Sequence, residues 1–116
     1  MHEMAIMETV VDIVVEQAKL ADAKKVTGVK LRIGELRDII DSLMEKCFCF
    51  MARNTVADEA RLEIEKVPFV IKCNQCSCEC HEHISNYASM ICKNCKSSDI
   101  RMISGNEFFI EEIELI

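Results

Sequence analysis

Four cysteines carry the clearest chemistry in the chain. Two residues separate Cys73 from Cys76 and Cys92 from Cys95, and fifteen separate the pairs. Two CxxC pairs at this separation match a four-cysteine zinc site, because each pair forms a tight knuckle that places two thiolates on one metal. The loop between them is long enough to carry the second pair to the opposite side of a tetrahedron. Bound zinc keeps the sulfurs deprotonated, and its binding supplies roughly 10–16 kcal/mol in zinc-finger peptides. A rubredoxin-like iron site and dithiol redox chemistry are the other readings of this spacing. The redox reading is the weaker, since a thioredoxin-like motif needs one CxxC at a strand end before a helix.

Cys78, Cys80, His81 and His83 lie between the two knuckles. They could replace a cysteine ligand or hold a second metal. The preferred reading is a polar hairpin rich in soft donors, since the CxxC pairs already satisfy one zinc. Cys47 fits an apolar stripe and is expected in the core. Neither Cys47 nor Cys49 has a histidine nearby in sequence to serve as a base, so no catalytic thiol is expected. The seven methionines read as core filler.

A second group of donors opens the chain. Met1-His2-Glu3 places an amine, backbone amides, an imidazole and a carboxylate within three residues. Amine, deprotonated amide nitrogens and imidazole form a planar four-nitrogen set that suits Ni(II) or Cu(II). The bland alternative is a solvated histidine near a terminus, and the residues alone leave both open.

These groups need elements to position them. Residues 4–21 predict an amphipathic helix, with Met7, Val11, Val14, Ala18 and Ala21 at three- and four-residue steps. Residues 26–33 alternate, with Val29, Leu31 and Ile33 facing one way and Lys30 and Arg32 the other, which predicts a strand ended by Gly34. A second helix is expected from Asp41-Ser42, where Ser42 and Glu45 have capping-box spacing, fading by Asn54-Thr55. Residues 61–67 alternate again until Pro68, which cannot donate to a ladder. Residues 107–115 return to strand character, with Phe109, Ile113 and Leu115 expected on one face. Two strands make too small a sheet, and this third would complete it.

The fold class expected is therefore α+β: a small three-stranded sheet packed with two helices, plus an inserted zinc-ribbon-like module. Residues 1–69, completed by the strand 105–116, form one domain, and residues 70–104 form the metal module. Residues 72–98 hold six of the eight cysteines and few large apolar residues, so they need a staple.

Composition narrows the function. The chain has 116 residues and a net charge of −6, and the sequence pI is about 5.1. A nucleic-acid backbone is disfavoured as main partner. Residues 70–104 carry a net charge of +1, so the module is no basic finger. A zinc ribbon that binds another macromolecule or nucleic acid, without nickel, is the alternative reading. No apolar run approaches the ~18 residues of a membrane span, and no basic n-region opens the chain, so a cytoplasmic protein with reduced thiols is expected.

Taken together, the motifs resemble the HypA family of nickel metallochaperones in hydrogenase maturation. Met1-His2-Glu3, the segment Val29-Lys30-Leu31-Arg32-Ile33-Gly34-Glu35-Leu36, Leu62-Glu63-Ile64-Glu65, the CxxC pairs and Ser104-Gly105-Asn106-Glu107 carry the likeness over nearly the whole chain. The resemblance implies a binding and delivery protein, not an enzyme. It implies Ni(II) held by His2 with the amine of Met1 and the neighbouring amides, assisted by Glu3, and structural Zn(II) on Cys73, Cys76, Cys92 and Cys95. The implied partners are a HypB-type GTPase and the precursor of the [NiFe] hydrogenase large subunit. The chain departs from the family pattern at the knuckles, where Ser77 and Lys96 stand in place of glycine.

Overall fold

The computed structural model describes residues 2–116, and the side chains of Tyr87 and Ala88 are not described. In chain order the elements are α1 (Glu3–Leu20), β1 (Val26–Gly34), a 3-10 turn (Glu35–Arg37), α2 (Asp41–Ala52), β2 (Arg61–Val67), β3 (Val70–Cys73), β4 (Glu79–His81), a 3-10 helix (Ile84–Ser89), β5 (Ile100–Ser104) and β6 (Phe108–Leu115). Two three-stranded sheets result, ordered β2-β1-β6 and β4-β3-β5. The fold class is the one the alternation and helical periodicity predict. The second sheet, built across the cysteine-rich segment, is additional to it.

The chain divides into two compact units. The first comprises Met1–Arg32, Ile39–Glu65 and Phe109–Ile116. Here α1 packs on α2. Met7, Val10, Val11, Val14 and Ala18 from α1 are buried, as are Met44, Cys47, Phe48 and Ala52 from α2 and Val29 and Leu31 from β1. These side chains form the core, and burying each stabilises the unit by about 1.5–3 kcal/mol for the larger ones. On β1 the polar phase is Lys30 and Arg32. Lys30 Nζ lies 3.6 Å from Glu63, 3.9 Å from Glu65 and 3.6 Å from Glu111. Arg32 meets Glu65 at 2.8 Å. The basic residues of the central strand are thus neutralised by carboxylates of the flanking strands, as cross-strand pairing favours.

Two local expectations fail. The capping box at Ser42 is not formed: α2 begins at Asp41 with Ile40 as its N-cap, and no side chain caps it. Asp41 then occupies the first turn, where its carboxylate suits the helix dipole. On β6, Phe109 does not join Ile113 and Leu115 in the core. Phe108, Ile110, Ile113 and Leu115 are half-buried, while Glu111 and Glu112 are both exposed, so the burial phase slips by one residue between them. Phe109 is 45% exposed and lies against Arg32, whose guanidinium carbon is 5.8 Å from the ring centre. A cation over the ring face compensates in part for its exposure.

The second unit comprises Ile33–Asp38 and Lys66–Phe108. β3 is central and pairs antiparallel with both neighbours: Ile71 stands opposite Cys80 on β4 and Met102 on β5. Phe69, Ile71, Val67 and Ile33 supply its modest apolar core, together with the sulfurs of Cys73 and Cys92. Two glycines from separate motifs meet here. A Cβ on Gly34 would lie 2.0 Å from the carbonyl oxygen of Gly105, and Gly105 itself has φ +118°. Gly34 N–H donates to Glu107 O at 2.7 Å, and Leu36 N–H to Gly105 O at 2.9 Å. Only glycine permits this approach. Glu35 Oε1 then accepts from Phe69 N–H at 2.8 Å and lies 2.9 Å from His81 Nε2. The hydrogen bond from His81, followed by that from Phe69, holds the Glu35 carboxyl below the usual range.

The role of β6 can be tested by truncation. Deleting residues 107–116 removes an outer strand of the first sheet and four half-buried apolar side chains. The melting midpoint should fall by more than about 10 °C, equivalent to a loss beyond roughly 2 kcal/mol. A truncated chain that melts with the full chain would show the segment to be peripheral.

Candidate metal centre

The four CxxC sulfurs converge. The Sγ atoms of Cys73, Cys76, Cys92 and Cys95 all lie within 4.8 Å of one another. Cys73 Sγ is 3.5 Å from Cys95 Sγ, and Cys76 Sγ is 3.5 Å from Cys92 Sγ. A tetrahedron of thiolates at the ordinary zinc–sulfur distance has edges of roughly 3.8 Å. Distances and donor type both fit one tetrahedral zinc. Cys73 and Cys92 are buried, while Cys76 and Cys95 face outward.

Both knuckles follow one backbone plan. Cys73 N–H donates to Cys78 O at 2.9 Å and Ser77 N–H returns to Cys73 O at 3.0 Å. Cys92 N–H donates to Ser97 O at 2.8 Å and Lys96 N–H returns to Cys92 O at 2.9 Å. Within each turn, amides point at the first sulfur: Gln75 and Cys76 N–H reach Cys73 Sγ at 3.3 and 3.5 Å, and Cys95 N–H reaches Cys92 Sγ at 3.4 Å. Such amides stabilise the thiolate a metal requires. The turn closes in the left-handed region at Ser77 (φ 64°) and Lys96 (φ 65°). Where the family pattern has glycine, Ser77 and Lys96 thus take up the left-handed conformation that disfavours a side chain.

Sequence reasoning missed the groups that brace this cluster. Asn94 Nδ2 donates across from the second knuckle to Cys76 Sγ at 3.5 Å. That hydrogen bond, with a backbone one from Cys78, draws the Cys76 thiol down to about 6. Backbone amides of Cys95 and Asn94 lower Cys92 in the same way. Asp99 grips the first knuckle, accepting from Asn74 Nδ2 at 2.9 Å and Gln75 Nε2 at 2.8 Å, and Arg101 also meets Asn74. None of these polar residues has a diagnostic spacing. The two histidines stand apart from the cluster: His81 on Glu35, and His83 Nδ1 accepting from Ser85 N–H at 3.1 Å. Among the described residues the cluster is purely sulfur.

At the other group of donors, Met1 lies outside the described residues. His2 is exposed and is the N-cap of α1, and its side chain makes no capping hydrogen bond. Its carbonyl accepts from Ile6 N–H at 2.9 Å, the first bond of the helix. Amides ahead of that bond have no acceptor within the helix. Glu3 turns inward and is 3% exposed, with Oε2 lacking a hydrogen-bond partner among the described residues. Nothing in the sequence pattern signals that burial.

A small α+β chain with four converging cysteine sulfurs fits a metal-binding protein. A family described as "Hydrogenase/urease nickel incorporation, metallochaperone, hypA" matches residues 1–115, and the chain belongs to this HypA family. Its relatives include the hydrogenase maturation factor HypA of Dehalococcoides mccartyi strain 195, 33% identical over 115 residues, covering 99% of this chain and 94% of that protein. The HypA of Trichodesmium erythraeum is 38% identical over 115 residues, with 99% and 96% covered. A solution structure of HypA protein superposes with a TM-score of 0.73 at 26% identity, covering 100% of this chain and 97% of that one. The Ni metallochaperone HypA from Helicobacter pylori superposes with a TM-score of 0.65 at 24% identity, covering 100% and 98%, which speaks to fold.

Two outcomes are expected at the cluster. Ser77→Gly and Lys96→Gly should each stabilise the zinc-loaded chain against urea by roughly 0.5–1 kcal/mol, the left-handed strain relieved less the extra backbone entropy glycine loses. Asn94→Ala, which removes the donor to Cys76 Sγ, should speed the loss of zinc from the loaded chain to a chelator; an unchanged rate would show the cross-knuckle bond to be idle.

Proposed function

We propose that the chain is a nickel metallochaperone of [NiFe] hydrogenase maturation, a binding and delivery protein and not an enzyme. One observation carries the reading: His2 stands exposed at the entry of α1, its imidazole free of capping duty, beside first-turn amides that the helix cannot use. The Met1 amine, those amides and the imidazole would supply four nitrogens in a plane, a geometry that Ni(II) favours. Two amides deprotonated on binding cancel the charge of Ni(II). The partial positive charge at the helix start then does not oppose the ion. The buried carboxylate of Glu3 has an acceptor unmet among the described residues, which a neighbouring cation or N–H would satisfy.

Delivery requires a site that can be dismantled. A chelate at a chain end gives up its donors one at a time to a competing site, with the fold intact. The nickel domain would be residues 1–69 completed by 105–116, and residues 70–104 would hold Zn(II) on Cys73, Cys76, Cys92 and Cys95. The recipients would be a HypB-type GTPase and the hydrogenase large-subunit precursor in the cytoplasm, as family membership suggests.

The chelate is tested by moving the amine. In protein that begins at Met1, His2→Ala and a Gly-Ser extension ahead of Met1 should each weaken Ni(II) binding at least about tenfold, or 1.4 kcal/mol, by calorimetry. Zinc content and helix signal should not change. An extended chain that binds as tightly as the native one, with His2 still required, would leave His2 as a ligand and remove the amine from the site.

A further inference from the structure

Two thiols of the second unit remain once the four-sulfur cluster is counted, and they face each other. Cys78 Sγ and Cys80 Sγ are 3.8 Å apart, both half-buried, and neither belongs to the cluster. Their backbones are fixed independently. The carbonyl of Cys78 accepts from Cys73 N–H at 2.9 Å as part of the first knuckle, and Cys80 stands opposite Ile71 in the β3–β4 ladder. Residues i and i+2 of an extended run project to the same face. The two side chains then converge from rigid positions, which is the pre-organisation a chelate needs.

We infer that Cys78 and Cys80 form a second metal site, a two-thiolate chelate for a soft monovalent cation, of which Cu(I) is the type. Thiolates select soft ions. The donor count decides the class: zinc needs about four ligands, and among the described residues no group of three or more His, Cys, Asp or Glu donors includes Cys78 or Cys80. His81 is on Glu35, His83 on Ser85, and Glu82 on Lys93 at 3.3 Å. Cu(I) is satisfied by two sulfurs. Each thiol gives up its proton on binding, so one Cu(I) and two thiols yield a bis-thiolate complex and two protons, with no change of oxidation state. A disulfide is the poorer use of the pair. The Cα atoms of an extended i, i+2 pair are about 6.6 Å apart, at the upper end of disulfide geometry, whose sulfurs must close to about 2.05 Å.

The test is an anaerobic titration of zinc-loaded protein with Cu(I) from a chromophoric Cu(I) chelator. One Cu(I) should bind per chain with zinc retained. Cys78→Ser and Cys80→Ser should each weaken this binding at least 100-fold, while Cys49→Ser and His2→Ala leave it unchanged; the last control separates the site from the nickel reading. In the unmutated chain, Cu(I) should protect Cys78 and Cys80 together from alkylation, mapped by mass spectrometry, so the assignment does not depend on a variant's folding. Copper that enters only by expelling zinc, copper that still binds when both thiols are serine, or alkylation of Cys78 and Cys80 unaffected by Cu(I) would each overturn the proposal. Loss of zinc from Cys78→Ser would overturn it too, by placing that sulfur in the zinc shell.

Discussion

Four sulfurs within 4.8 Å of one another set the terms for the second unit. As thiolates they repel, and as thiols they bury polar atoms with only weak mutual hydrogen bonds to compensate. One divalent cation at the centre removes both costs. The unit has few large apolar side chains beyond Phe69, Ile71, Val67 and Ile33, so it lacks the hydrophobic reserve to hold its loops by packing alone. Metal binding and folding are then one equilibrium. The knuckle amides, the Asn94 side chain and the Asp99 grip on Asn74 and Gln75 all serve that centre by fixing where the sulfurs stand.

The same unit has a second, metal-free anchor. Gly34 and Gly105 approach too closely for any side chain, and Glu35 ties Phe69 and His81 to that junction. The strand-Gly-Glu-Leu segment and the Ser-Gly-Asn-Glu segment are therefore two halves of one contact.

Much of this was legible in the sequence because the physics is local. Metal knuckles need fixed spacings, so Cys73, Cys76, Cys92 and Cys95 announce themselves. Alternation around Lys30 and Arg32 reveals a strand with one buried face. What escaped depends on distant partners. Glu3 reads as a donor beside His2, with no sign that it is buried. Phe109 reads as core and lies outside, since two consecutive exposed glutamates reset the burial phase of β6. Ser42 has capping spacing, yet the helix starts a residue earlier. The β3-β4-β5 sheet is invisible because its strands are only 4, 3 and 5 residues long and their pairing is largely non-local. The 3.8 Å approach of Cys78 to Cys80 follows from that sheet and could not be read without it.

On the proposed function, nickel and zinc use separate donor sets, nitrogen at the chain start and sulfur at the knuckles. X-ray absorption on protein loaded with about one equivalent of each metal reads both at once. The nickel edge should show a planar shell of nitrogen and oxygen without sulfur, and the zinc edge four sulfurs without nitrogen. Sulfur in the nickel shell, or an imidazole in the zinc shell, would contradict it.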